Sequence, residues 1–129
     1  MNIESHEKKL KELLDFLEIS IKKGLTESQS IIGFITSQGS IELISLLLHK
    51  KNLITIGTQI NHLWFRSKKT MEEKFPFDFP RKNVILTLIS QIEDKRDSIV
   101  YGSPKKEEEL KEIIILFNKL KEIIEEELK

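Results

Sequence analysis

The sequence predicts an all-α fold, an antiparallel bundle of four to five helices, and three observations carry that expectation. Apolar residues recur at helical spacing through four long segments. Helix-stopping and helix-starting residues fall between those segments: Gly24 with Thr26, and Gly102 with Ser103 and Pro104. No strand pattern is long enough to build a sheet, and Ile54-Thr55-Ile56 is β-branched but isolated.

The first helix is expected over residues 5–23, where Leu10, Leu13, Leu14, Leu17 and Ile21 recur at helical spacing before Gly24 stops it. Thr26 is the expected N-cap of the second helix, with Glu27 in its first turn. That helix is expected over residues 27–51 and is apolar on several sides, through Ile31, Ile32, Phe34, Ile35, Ile41, Leu43, Ile44, Leu46, Leu47 and Leu48. Such breadth marks the central helix of the bundle. Ser30, Gly33, Ser37 and Ser40 add a stripe of small residues that admits another helix closely, from this chain or from a second copy. Gly39 weakens the helix from within.

Residues 52–80 are less regular, with one or two short helices expected over 61–74. Phe75-Pro76-Phe77-Asp78-Phe79-Pro80 is not expected to be helical, because each proline biases its predecessor toward extended geometry. Its phenylalanines are expected to anchor the connection over the core. The third long helix is expected over 81–101, with a stripe of Ile85, Leu88, Ile89 and Ile92 that Ile99 resumes. Gly102 ends it, Ser103 caps the next and Pro104 suits the first helical position. The last helix runs to about residue 128, with Leu110, Ile113, Ile114, Phe117, Leu120, Ile124 and Leu128 inward and a Lys- and Glu-rich outer face.

A chain of 129 residues is expected to form one domain, residues 1–129, with a core that needs no staples. It has no cysteine, hence no disulfide and no thiolate metal site, which fits a reducing, cytoplasmic setting. The start has no basic region followed by an apolar run, so no signal peptide is expected. No apolar stretch is expected to reach the ~20 residues that span a bilayer, so no membrane partner is expected. Lys plus Arg and Asp plus Glu are 21 each, so bulk charge alone would not hold nucleic acid, although a local basic patch could. His6, His49 and His62 show no metal-ligand spacing, and the scattered glycines make no phosphate loop, so neither metal nor cofactor is expected. Ser40 and Ser98 lack an identifiable base for nucleophilic work.

Arg96 is the most informative residue. It follows Ile92 by four positions and precedes Ile99 by three, which places it on the apolar stripe. A charge there needs a partner. Glu42 and Glu93 are the internal candidates, and an anion met in a cleft or dimer groove is the alternative. Tyr101 closes the same helix, as an aromatic expected to pack its ring and expose its hydroxyl. His62-Leu63-Trp64-Phe65-Arg66-Ser67-Lys68-Lys69 mixes aromatic with basic residues, a composition that suits either core filling or RNA contact.

Arg96-Asp97-Ser98-Ile99-Val100-Tyr101 resembles the signature of HEPN domains, helical bundles named for higher eukaryotes and prokaryotes nucleotide-binding. The family pattern is an arginine, then often a polar residue, then a histidine a few positions later, at the end of the third long helix. Asp97 matches the polar residue. Ser37-Gln38-Gly39-Ser40-Ile41-Glu42 is similar to the family's second-helix segment, in which small residues precede a glutamate. Asn61-His62-Leu63 is similar to a histidine-leucine element that follows the second helix in some members. The resemblance covers nearly the whole chain and departs at Tyr101, where active members carry the histidine.

The resemblance implies a HEPN-like bundle that forms a homodimer, with two motifs facing across a shared groove. It implies an RNA- or nucleotide-associated module of a toxin–antitoxin or defence system. Many members are metal-independent ribonucleases, and many pair with a small nucleotidyltransferase, so a ribonuclease using Arg96 and a non-catalytic nucleotidyltransferase partner are the two alternatives. The candidate catalytic residues are Arg96 and Tyr101, with His62 as a recruited substitute. The candidate RNA- or nucleotide-binding residues are Arg96, Asp97, His62 and Glu42. Tyrosine titrates near 10 and histidine near 6.5, so Tyr101 is a poor base near neutrality. It is also a candidate modification target, as tyrosines near the motif are in some members.

Overall fold

The computed structural model describes all of residues 1–129 and contains five α-helices and no strand. They are α1 (Ile3–Lys23), α2 (Gln29–Lys50), α3 (Lys68–Lys74), α4 (Lys82–Tyr101) and α5 (Glu107–Leu128), with a 3₁₀ segment at His62–Arg66 before α3. The expected all-α bundle is therefore present, built on four long helices.

Paired residues give the direction of each helix. His6 near the start of α1 meets Glu42 and His49 near the end of α2, so these two run antiparallel. Ser30 and Gly33, early in α2, meet Ile99 and Val100, late in α4. Arg81 at the head of α4 pairs with Glu126 and Glu127 at the tail of α5, at 2.8 and 3.4 Å. Helix α2 packs against α1, α4 and α5, and sixteen of its 22 residues are buried. It is the central helix that its broad apolar surface predicts.

That burial also corrects an expectation. Helix α2 is long and apolar enough, by length and composition, to cross a bilayer. Its most apolar window is 83% buried inside the bundle, so other helices already cover that surface. Thr36 donates to the Ile32 carbonyl and Ser40 to the Thr36 carbonyl, which satisfies both buried hydroxyls within the helix.

The small stripe is used within the chain. A Cβ on Gly33 would lie 2.7 Å from Ile99 Cγ2, and a Cβ on Gly39 would lie 2.8 Å from the Phe117 ring. The two glycines let α4 and α5 close on α2 from different sides. A dimer seam along this stripe is thereby excluded at Gly33, Ser37 and Ser40, which are all buried. Gly39 does not break the helix, because the close approach of Phe117 compensates for its poor propensity.

Two helix starts differ from expectation. Helix α2 begins at Gln29 after Ser28, not at the expected Thr26 cap. Residues 25–28 form a turn held by Ser28 N–H bonds to the Gly24 and Leu25 carbonyls, and Leu25 packs against the core. Gly24 sits at φ 132°, a conformation that suits glycine. Helix α5 begins at Glu107, not at Ser103 or Pro104. The Gln29 side chain holds the connection open: its amide donates to the Ile99 and Ser103 carbonyls and accepts from Lys105 N–H. Three glutamates then occupy the first turn of α5, where the helix dipole favours them.

The segment after α2 behaves as expected. Asn52 at φ 58° and the Leu53 N–H bond to the Leu48 carbonyl close α2 in a Schellman-type turn. Phe75 and Phe79 are buried, and Phe77 packs partly buried beside them. Lys82 Nζ clamps this loop by donating to the Phe75 and Phe77 carbonyls, each at 2.7 Å.

Gly39→Val should cost about 1–3 kcal/mol, because the fully buried Phe117 ring has no room to retreat. Urea denaturation would read it, with exposed Ile115→Val as a control expected within about 0.5 kcal/mol of wild type. Equal midpoints for both variants would contradict this account of α2–α5 packing.

Candidate functional site

The second half of α4 and the 3₁₀ segment share one charged network. Asn61 caps the segment by accepting from Leu63 N–H at 2.8 Å, and Phe65, with no exposed surface, pins it into the core. His62 and Arg66, at the two ends of the segment, both reach α4. His62 Nδ1 lies 2.9 and 3.0 Å from the two oxygens of Glu93. Arg66 Nε donates to Glu93 at 2.9 Å, and Arg66 Nη2 donates to Asp97 at 2.8 Å. Arg96 Nη1 donates to the other Asp97 oxygen at 3.0 Å.

The Glu93 side chain is only 2% exposed and is the buried centre of this network. Its hydrogen bond is the main reason the Arg66 guanidinium is held above its ordinary value, against partial desolvation and with help from Asp97. Desolvation alone would raise the Asp97 carboxyl. The charge of Arg66, and hydrogen bonds from Arg96 and Arg66, outweigh it and hold Asp97 below the usual carboxylate range. Asp97 thus stays ionised between two arginines.

Three of the expected site residues, Arg96, Asp97 and His62, therefore lie in one place. Two do not join them. Tyr101 is 76% exposed and makes no hydrogen bond to the network, so its ring is not packed as expected. Glu42 lies on α2, where it takes His6 Nδ1 and the Gln38 amide. The expected pairing of Arg96 with Glu42 or Glu93 is also corrected. Both carboxylates are committed, Glu42 to His6 and Gln38 and Glu93 to His62 and Arg66, which leaves Arg96 only its neighbour Asp97. Its side chain is 13% exposed, and its remaining N–H groups have no partner in the chain.

Arg66 and Glu93 are the network members that the sequence did not place in the site: Glu93 was expected only as a partner of Arg96, and Arg66 only as part of a basic and aromatic stretch. Glu93 and Asp97 sit four apart on one helix face, an arrangement that could have signalled a two-carboxylate seat for a basic side chain. His6 and His49 also carried no assignment. Their ring centroids lie 5.1 Å apart with the planes tilted by 33°, both are buried, and the Nε2 atom of each lacks a partner. No three His, Asp or Glu side chains are arranged to hold a metal ion.

The network has definite chemical capacities. Anchoring Nδ1 of His62 on Glu93 fixes the ring and leaves Nε2 without a partner in the chain, able to exchange a proton with a bound group. Arg96 offers unpaired donors in a planar fork suited to phosphate or carboxylate. Comparison with protein-family models, with curated proteins and with solved structures finds no match to this chain.

The buried His6–His49 pair predicts how stability changes with pH. Burial, then the nearby charge of His6 and of the amino terminus, lowers the His49 pKa from its ordinary value. The unfolded chain therefore binds a proton at His49 more readily than the folded one, and stability rises with pH through that window. It should be complete above about 6.5 and decline as pH falls through 6.5 toward the lower folded value. Thermal melts across that range would read it, and His49→Gln should flatten the slope. An unchanged slope in the variant would assign the pH dependence elsewhere.

Proposed function

We propose that this chain is a HEPN-like module that works as a dimer and holds the phosphate of RNA or of a nucleotide beside Arg96, within a toxin–antitoxin or defence system. The observation that carries the reading is the state of Arg96. Its side chain is 13% exposed and spends one hydrogen bond on the adjacent Asp97. A shielded guanidinium with free donors binds a phosphate more strongly than a solvated one, because less water must be displaced and the local dielectric is lower. Arg66 is already engaged by Glu93 and Asp97, so it braces the site rather than offering an open fork.

Charge balance limits the mode of binding. Arg66 and Arg96 are offset by Glu93 and Asp97, so recognition relies on placed donors rather than on a broad positive field. The apolar side chains of Phe16, Ile19, Ile31 and Phe34 remain exposed on α1 and α2, and supply surface that a second copy can cover.

One observation favours a second reading, a metal-independent ribonuclease. The Glu93-anchored His62 has the free Nε2 that the motif tyrosine cannot replace: it would take the proton from a ribose 2′-hydroxyl as that oxygen bonds to the adjacent phosphorus, while Arg96 stabilises the phosphate charge, the bond to the 5′-oxygen breaks and water protonates the leaving oxygen. Tyr101, solvent-exposed and outside the network, then has no part in proton transfer.

Titration of labelled single-stranded RNA should show about tenfold weaker binding for Arg96→Ala, with Arg96→Lys intermediate because lysine lacks the planar fork. Undiminished binding by Arg96→Ala would overturn the phosphate reading, and a monomer by light scattering would remove the dimer. If the ribonuclease reading holds, cleavage in the presence of chelator should fall about 10²–10⁴-fold in His62→Ala. Equal cleavage by wild type and variant would mark a contaminating nuclease.

A further inference from the structure

A groove of about 370 Å³ opens beside His62, between α2 and the chain that leads into the 3₁₀ segment. Its volume lies within the ~300–1,000 Å³ range of ligand pockets. Ile41, Ile60 and Trp64 supply apolar lining, and Gln38, Gln59 and Asn61 supply three amides. His62 belongs to the same wall, so the groove ends at the charged network.

The amides are not equivalent. Gln38 commits its amide N–H to Glu42, at 3.2 Å, which leaves its carbonyl as an acceptor. Asn61 commits its carbonyl to Leu63 N–H, at 2.8 Å, which leaves its amide nitrogen as a donor. Gln59 is exposed and makes no hydrogen bond within the chain, so either end of its amide is open. One groove thus combines an apolar lining, including the Trp64 ring that Lys74 Nζ approaches to 4.9 Å, with an acceptor, a donor and an adaptable amide. Every nucleobase presents the complement: a planar π-face with donors and acceptors side by side along its edge.

We propose that this groove is a nucleobase subsite, which seats one base of a nucleotide, free or within an RNA strand, whose phosphate lies against His62 and Arg96. The inference rests on the phosphate reading above and adds a separate site to it. Glu42 gains a role here that does not require contact with ligand. It is a positioning residue, held by His6 on one side and orienting the Gln38 amide on the other. The base-edge contacts and the phosphate contacts come from different elements, so they can be tested apart.

Trp64 is the only tryptophan in the chain and lines the groove, so its fluorescence reports occupancy directly. The probes are adenosine 5′-monophosphate, adenosine, ribose 5-phosphate and a short oligoadenylate, each titrated against the full chain. The mononucleotide should bind about tenfold more tightly than ribose 5-phosphate, the scale expected for one stacked base. Gln59→Ala and Ile60→Ala should weaken the mononucleotide several-fold and leave ribose 5-phosphate unchanged, with thermal melts confirming that both variants fold. Glu42→Gln should weaken the mononucleotide, while Arg96→Ala should weaken all three phosphate-bearing probes.

Where the mononucleotide binds more tightly than ribose 5-phosphate the subsite is supported, and tighter binding of the oligonucleotide then assigns it to RNA, the reverse order to a free nucleotide. Equal affinity for mononucleotide and ribose 5-phosphate overturns the subsite and leaves the phosphate reading intact. Equal affinity for adenosine and the mononucleotide supports the subsite and overturns the phosphate reading. Binding of none of the four probes overturns both.

Discussion

The burial of α2 is the constraint on which the rest of this structure depends. A helix packed against α1, α4 and α5, with sixteen of its 22 residues buried, leaves each neighbour to approach it on its own terms. Gly33 yields to Ile99 and Val100, and Gly39 yields to the Phe117 ring. Because those contacts set the depth at which α4 lies, they also set where the second half of α4 emerges. The charged network is carried there. Close packing transmits such placement because interiors have little free volume to absorb a shift.

Polar groups inside this bundle follow a common logic. Glu42 and Glu93 are each buried on a different helix, and each accepts from a histidine and one further side chain. The difference lies in what surrounds them. His6 is itself buried and meets the buried His49 ring, so that arrangement ties α1 to α2. His62 and Arg66 are partly open to solvent, with side chains 29% and 46% exposed, so the Glu93 arrangement faces outward. One chemical unit serves as a structural clasp in one place and as a candidate site in the other, and exposure separates the two.

Much of the fold was legible in the sequence because it rests on local and periodic signals. The spacing of Leu110, Ile113, Phe117 and Leu120 is a helix signal whatever the neighbours are, and all four are buried. The prolines around Phe77 kept that segment out of helix for reasons internal to the backbone. The helix starts were less legible. Thr26 and Ser103 are good caps by type, yet the chain uses neither, because Leu25 is drawn into the core and Gln29 captures the α4–α5 connection from another helix. Residues far apart in the chain decided both boundaries.

The candidate site divides in the same way. The sequence alone determined that Arg96 lies at the edge of an apolar stripe beside Asp97, since both facts follow from helical periodicity. It also determined that His62 stands in a basic and aromatic stretch. Only the tertiary structure decided that His62 and Arg66 converge on Glu93, that Glu42 belongs to His6, and that Tyr101 stands apart. The physical reason is competition for partners. A buried carboxylate must be satisfied by whichever donors packing brings within reach, and that choice depends on contacts 27 to 36 residues apart in the chain.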